Sequence, residues 1–160
     1  QLATSVRGHK LLKDKQDEYV ESDWSKQVAF AMNMLQEESK LDEIVRLVGV
    51  DSLEYTDRLK LECARSIRED YLHQIAFHEV DTYTSLKKQY GMLKAIIAWY
   101  NGAQNALKNN VAFNKIMEMQ SIEKIGRMKY IFEDDFEAEY HKIISELNEE
   151  FEKLEKGENA

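Results

Sequence analysis

At 160 residues the chain is the size of one domain, long enough to bury about two thirds of its unfolded surface. A net charge of −8 argues against nucleic acid as a partner, because neutralising phosphates requires a basic face. The longest apolar cluster, residues 95–99, is far shorter than the roughly 20 residues of a bilayer span, no secretory leader is recognisable, and the single cysteine excludes an internal disulfide or a cysteine-rich zinc centre.

With no proline, six glycines and an abundance of Leu, Lys, Glu and Ala, the composition predicts an all-α fold, a bundle of about six helices joined by short polar turns. Residues 1–18 stand apart in charge balance, since Arg7, Lys10, Lys13 and Lys15 outnumber Asp14, Asp17 and Glu18. Leu2, Val6, Leu11 and Leu12 supply only a weak seam, and such a helix is marginal by itself in water. A new helix is expected with Ser22 as N-cap. Trp24, Val28, Ala31 and Leu35 mark its buried face, Met32 and Met34 read as adaptable packing, and Leu41, Ile44, Val45 and Val48 continue the apolar set up to a stop at Gly49.

Residues 49–57 read as a loop, acidic through Asp51, Glu54 and Asp57. Leu59, Cys63, Ile67, Tyr71 and Ile75 then form an uninterrupted stripe at four-residue spacing, a helix facing the core with an inert buried thiol at Cys63. Around it Glu62, Arg65 and Glu69 stand at helical pair spacings. After a connector at residues 77–80, Asp81 is expected to cap a long helix. Leu86, Tyr90, Leu93, Ile97 and Tyr100 give that helix a bundle seam, and Asn109 and Asn110, which tolerate left-handed geometry, end it. Ile116, Met119, Ile122, Ile125 and Met128 predict one shorter helix or a pair. The last helix starts at Glu133 or Asp134 and presents Phe136, Tyr140, Ile143, Leu147, Phe151 and Leu154 along one stripe, fraying after Glu155.

The words REDYLHQIAFHEVDTYTSLKKQYGML, from Arg68, and KIGRMKYIFEDDFEAEY, from Lys124, closely resemble the C-terminal helical domain of the catalytic A subunit of V/A-type rotary ATPases. Phe132 departs from a proline common at that point in the family. A second resemblance links RGHKLLKDKQDE, beginning at Arg7, to the first long helix of the D subunit, the rotor shaft of the same machines. Together they imply an engineered fusion jointed near residues 16–20, with residues 19–160 forming the A-like domain; the alternative is a basic helical arm that arose within one natural protein.

The resemblance implies a mechanical role: a bundle in the soluble, cytoplasmic head of a membrane-bound complex, coupling ATP hydrolysis or synthesis to rotation and ion transport. Its implied partners are the rotor-shaft D subunit, met through Val50, Asp51, Ser52, Leu53, Glu54 and Tyr55, and neighbouring B subunits. Phe77 is implied to lie near the adenine in the parent subunit, where ATP and magnesium bind; it reads equally as a core or lid residue, and in this chain alone as packing. Without the family, residues 49–57 read as a solvated acidic turn, and the chain as an autonomous acidic helical module that binds a basic protein.

Catalysis finds little support in the residues themselves. Phosphoryl transfer needs a glycine-rich cradle ending in Lys-Ser/Thr and an acidic magnesium partner, and neither motif occurs in the sequence. His73 and His78 lack the spacing of a helical zinc pair. His78 beside Glu79 reads as a capping histidine in a connector, in preference to an acid/base pair.

Overall fold

The computed structural model describes residues 15–73 and 85–157, with side chains from Asp23 onward. The described residues form an all-α bundle. Helix α1 (Lys15–Val48) descends to a 3-10 turn (Val50–Ser52), and α2 (Tyr55–Ser66) climbs back, continuing as a π-helical segment (Ile67–Leu72). Helix α3 (Leu86–Lys108) descends again, two short helices, α4 (Phe113–Met117) and α5 (Gln120–Gly126), return upward, and after a 3-10 turn (Met128–Tyr130) α6 (Glu133–Glu155) makes the last descent.

Helix α1 runs without interruption through the position where a break at Ser22 was expected. Nothing between residues 15 and 48 forces a stop, since neither glycine nor proline occurs there, and a serine within a helix can bond locally without ending it. Of the expected stripe, Ala31 is buried and Trp24 and Leu35 pack against the core, but the face is shifted at Val28. Gln27, Ala31, Met34 and Leu41 face the core, whereas Val28 and Met32 are exposed. Tyr90 of α3 donates its hydroxyl to Asp23, and the rings of Trp24 and Tyr90 lie 6.1 Å apart. These contacts seat the upper part of α1.

The stripe of α2 is as the spacing predicts, with Leu59, Cys63, Ile67 and Tyr71 all buried; Ile75 lies outside the described residues. Arg68 forks onto Glu38 of α1 at 2.9 and 2.8 Å, tying the top of the hairpin. Helix α3 differs more from expectation. Ser85 is extended and its hydroxyl accepts from the Lys88 amide at 3.0 Å, so the described helix starts at Leu86; Asp81, expected as its cap, lies outside the described residues. Leu86 itself is exposed, and burial covers more than one face: Met92, Leu93, Ala95, Ile96, Trp99, Ala103 and Ala106 are all inside. This is the central helix of the bundle, packed by α2 on one side and α6 on another.

Helices α3 and α6 run parallel and unusually close, because Gly91 faces Phe136 and Gly102 faces Phe151. The α6 stripe is as expected, with Phe136, Ile143, Leu147 and Phe151 buried and Tyr140 and Leu154 packed against them. Asn110 ends the preceding region at φ 66, the left-handed geometry that asparagine tolerates. The predicted pair of short helices follows it. Met119 supplies no side-chain cap to α5; instead Glu150 of α6 accepts from the Gln120 and Ser121 amides at 2.8 and 3.0 Å.

Phe132 is 79% exposed and sits at φ −63, ψ 146, after an extended Ile131 at φ −74, ψ 131. Those are the angles that proline and the residue before it adopt without strain, so the turn keeps the shape the family's proline would impose. Phe132→Pro is therefore expected to stabilise the fold by about 0.5–1 kcal/mol by restricting the unfolded chain. Urea denaturation would show a higher midpoint at unchanged slope; a lower midpoint would mean that the turn needs the phenylalanine.

A turn at the lower end of the bundle

The reversal between α1 and α2 is built by a glycine and a buried leucine. Gly49 adopts φ 90, a left-handed conformation open to glycine, and lets the chain drop into the 3-10 turn. Ser52 donates its hydroxyl to the Gly49 carbonyl at 2.7 Å, closing the turn locally. Leu53 then turns inward and is 8% exposed. It anchors the loop and is not presented on its surface, unlike the other residues the resemblance assigned to a shaft contact.

Those others are outward. Val50, Asp51, Ser52, Glu54 and Tyr55 are exposed. Glu54 occupies the N-cap position of α2 without a side-chain capping bond. Tyr55 stacks on Phe113 with ring centroids 4.9 Å apart, and the Arg58 guanidinium lies 5.2 Å from the centre of the Tyr55 ring. On the far side of α2, Gln104 of α3 donates to the Thr56 carbonyl at 3.1 Å. The turn is thus braced by α3 and α4 as well as by its own bonds.

The sequence misassigned the end of α1. Ile44 and Val48, read as core, lie at an end of the bundle that no described element covers: Ile44 is 44% exposed, Leu47 84% and Val48 66%. Helical periodicity identifies a shared face, and these three do share one, but it cannot say whether the covering partner belongs to the same chain. Val50, 45% exposed, continues this apolar surface around the turn. The acidity of the loop is offset in the fold. Arg58 reaches Asp51 at 3.4 Å and Lys60 reaches Asp57 at 3.6 Å.

At the opposite end, one lysine that the sequence did not single out organises the corner before α6. Lys88 is 8% exposed, and its ammonium donates to the carbonyls of Lys129 and Ile131 at 3.0 and 2.6 Å. Burial pulls its pKa below the ordinary lysine value, and nearby Glu133 opposes that shift. Ser85 donates its hydroxyl to Glu133, and Lys129 stands 3.7 Å from Asp70 in the π-helical segment. Both chain ends flanking residues 74–84 are therefore fastened to the same corner. Phe77, His78 and Glu79 lie outside the described residues, as do Arg7, Lys10 and Lys13; Lys15 opens α1, with its side chain outside them. His73 is exposed at the end of the π-helical segment.

Burial, reinforced by the neighbouring Glu62 charge, pushes the Cys63 thiol up to about 12, so it stays protonated and unreactive at neutral pH. Among the described residues no group of three or more His, Cys, Asp or Glu side chains is arranged to hold a metal ion, and no helix is long and apolar enough to cross a membrane.

Comparison with known proteins adds relatives to this geometry. Residues 13–117 match a family described as the C-terminal domain of V and A type ATP synthase. The chain is 54% identical over 144 residues to the V-type ATP synthase alpha chain of Clostridioides difficile, which covers 90% of this chain and 24% of that one. It is 53% identical over 137 residues to the V-type ATP synthase alpha chain of Acetivibrio thermocellus, covering 86% of this chain and 23% of the relative. A V-type ATP synthase alpha chain of Clostridium botulinum is 51% identical over 138 residues. The chain spans about a quarter of the length of these curated relatives.

Proposed function

Because the chain belongs to the family of C-terminal domains of V- and A-type ATP synthases, we propose that it is a non-catalytic lever of the catalytic subunit, one that meets the central rotor shaft at the turn between α1 and α2. The observation that carries this reading is the exposed, braced turn at the lower end of the bundle. Ile44, Leu47, Val48 and Val50 are presented there on a scaffold fixed by Leu53 and by the Tyr55–Phe113 stack. A part that transmits displacement needs such a stiff mounting, since a loosely held loop would absorb the motion it should pass on.

In this reading ATP and magnesium bind in the part of the catalytic chain that precedes this domain, and opening or closing there swings the bundle. The turn follows or presses the shaft, formed by the D subunit, while neighbouring B subunits flank the catalytic one, and rotation is coupled to ion transport in a complex whose soluble head faces the cytoplasm. Residues 1–18 are a shaft-derived segment joined to this domain near residues 16–20, a reading that rests on the words RGHKLLKDKQDE. The rival reading, an autonomous acidic module, rests on the net charge of −8, and two of the three anions at the exposed turn have a cation alongside.

The test is a binding measurement of the full chain against an isolated rotor shaft, with residues 50–52 intact or replaced by Gly-Ser-Gly. Binding that weakens on replacement is the expected result. Binding indifferent to the turn, or binding only to unrelated basic proteins, would contradict the lever.

A further inference from the structure

We propose that the turn holds its partner through an apolar ridge, Ile44, Leu47, Val48 and Val50, and that its acidic residues contribute little. The occupant is a helix of the shaft bearing a complementary apolar stripe, so the inference rests on the lever reading and specifies the chemistry of its contact. The acidic appearance of residues 49–57 suggested the opposite, a basic partner steered by charge.

Charge balance is the first argument. Between residues 44 and 60 the anions Asp51, Glu54 and Asp57 are matched in number by Arg46, Arg58 and Lys60. In the folded chain two of the three anions have their cation alongside, Asp51 with Arg58 and Asp57 with Lys60. What remains within this stretch is Glu54 against Arg46, while Asp42 and Glu43 adjoin it on α1 and Lys60 also reaches Glu37 at 3.8 Å. Exposed pairs of this kind also contribute only about 0–1 kcal/mol each.

Apolar area is the second argument. Ile44, Leu47 and Val48 stand at i, i+3 and i+4, one face of the last turns of α1, and all are exposed together with Val50 and the adjoining Tyr55. Their combined exposed surface is on the order of 500 Å², below the roughly 800 Å² per partner of a stable interface. A second copy of this chain docked through the same ridge would bury too little for a lasting dimer. An apolar contact of that size suits a partner engaged and released repeatedly, because it lacks the directional bonds that would fix one register.

The full chain, ¹⁵N-labelled, is titrated with an isolated rotor shaft at two ionic strengths and in two variants. Affinity should change less than about twofold between low and physiological salt, since an apolar contact is not screened. Leu47→Ser with Val48→Ser should weaken binding by about tenfold or more, the loss expected when two central apolar anchors are removed, while Asp51→Asn with Glu54→Gln stays within about twofold. The mutated positions are exposed, and unchanged thermal melts would confirm that the fold is retained. A tenfold loss of affinity with salt, or from the acidic substitutions alone, would overturn the apolar contact while leaving the lever standing. No binding by the unaltered chain would overturn both, and dimerisation of the chain through the ridge would assign it to a second copy.

Discussion

Gly102→Ala is expected to destabilise the bundle by about 2 kcal/mol, which for a domain of this length lowers the melting temperature by roughly 5 °C. Helix propensity predicts the opposite sign, because alanine in a helix interior is favoured over glycine by about 1 kcal/mol. Packing decides. A Cβ on Gly102 would lie 2.7 Å from Cδ2 and 2.8 Å from Cζ of Phe151, a buried ring on α6. The ring is rigid and enclosed, so relief requires α6 to move away from α3.

Gly126 supplies the control. A Cβ there would meet Asp70 at 3.5 Å, an ordinary contact, so Gly126→Ala should be neutral or gain up to about 1 kcal/mol. Phe151→Leu introduced into the Gly102→Ala chain should recover part of the loss, a coupling that a double-mutant cycle reads directly. If both alanine variants stabilise equally, the close approach of α3 and α6 is not what determines stability at Gly102.

Lys88→Met is expected to cost about 2–3 kcal/mol, against less than about 0.5 kcal/mol for Lys87→Met next to it. Methionine keeps the aliphatic stem and much of the volume of lysine. The loss at position 88 therefore reports the ammonium, whose removal leaves the Lys129 and Ile131 carbonyls without their donor. Lys87 pairs with Glu137 at 2.6 Å, but both side chains are exposed to solvent, where such pairs contribute little. Urea denaturation of the two variants gives the comparison, and equal midpoints would show that the corner before α6 does not depend on Lys88.

The same lysine shows where reading the sequence stops. In a helix, a lysine among Lys87, Gln89 and Tyr90 reads as solvated, because its role depends on carbonyls 41 and 43 residues away. The stripes of α2 and α6 were legible for the converse reason: each helix buries one narrow face, so Leu59, Cys63 and Ile67, or Ile143, Leu147 and Phe151, repeat cleanly. Helix α3 is covered on more than one side, and burial at Ala95, Ile96, Trp99 and Ala103 blurs any single seam.

The turn was located correctly, but the surroundings of its side chains were not legible. Gly49 marked the stop, but the outward placement of Leu47 and the inward placement of Leu53 follow from where the bundle ends, which no local pattern encodes. The pairing of Asp51 with Arg58 spans seven residues across a bend, so the sequence shows the carboxylate and the fold shows its neutralising partner. Ser22 failed as a boundary for a simpler reason. Capping residues permit a helix start, and only a breaker or a lost partner enforces one.

The lever account is tested most directly by mapping where the shaft touches this chain. In amide spectra of the labelled chain with saturating rotor shaft, the account predicts shifts concentrated from Ile44 to Tyr55, with the amides of Leu93, Ala103 and Leu147 in the core unmoved. Shifts gathered instead at the opposite end, around Lys88 and Tyr130 to Glu133, or absent from the turn altogether, would contradict it.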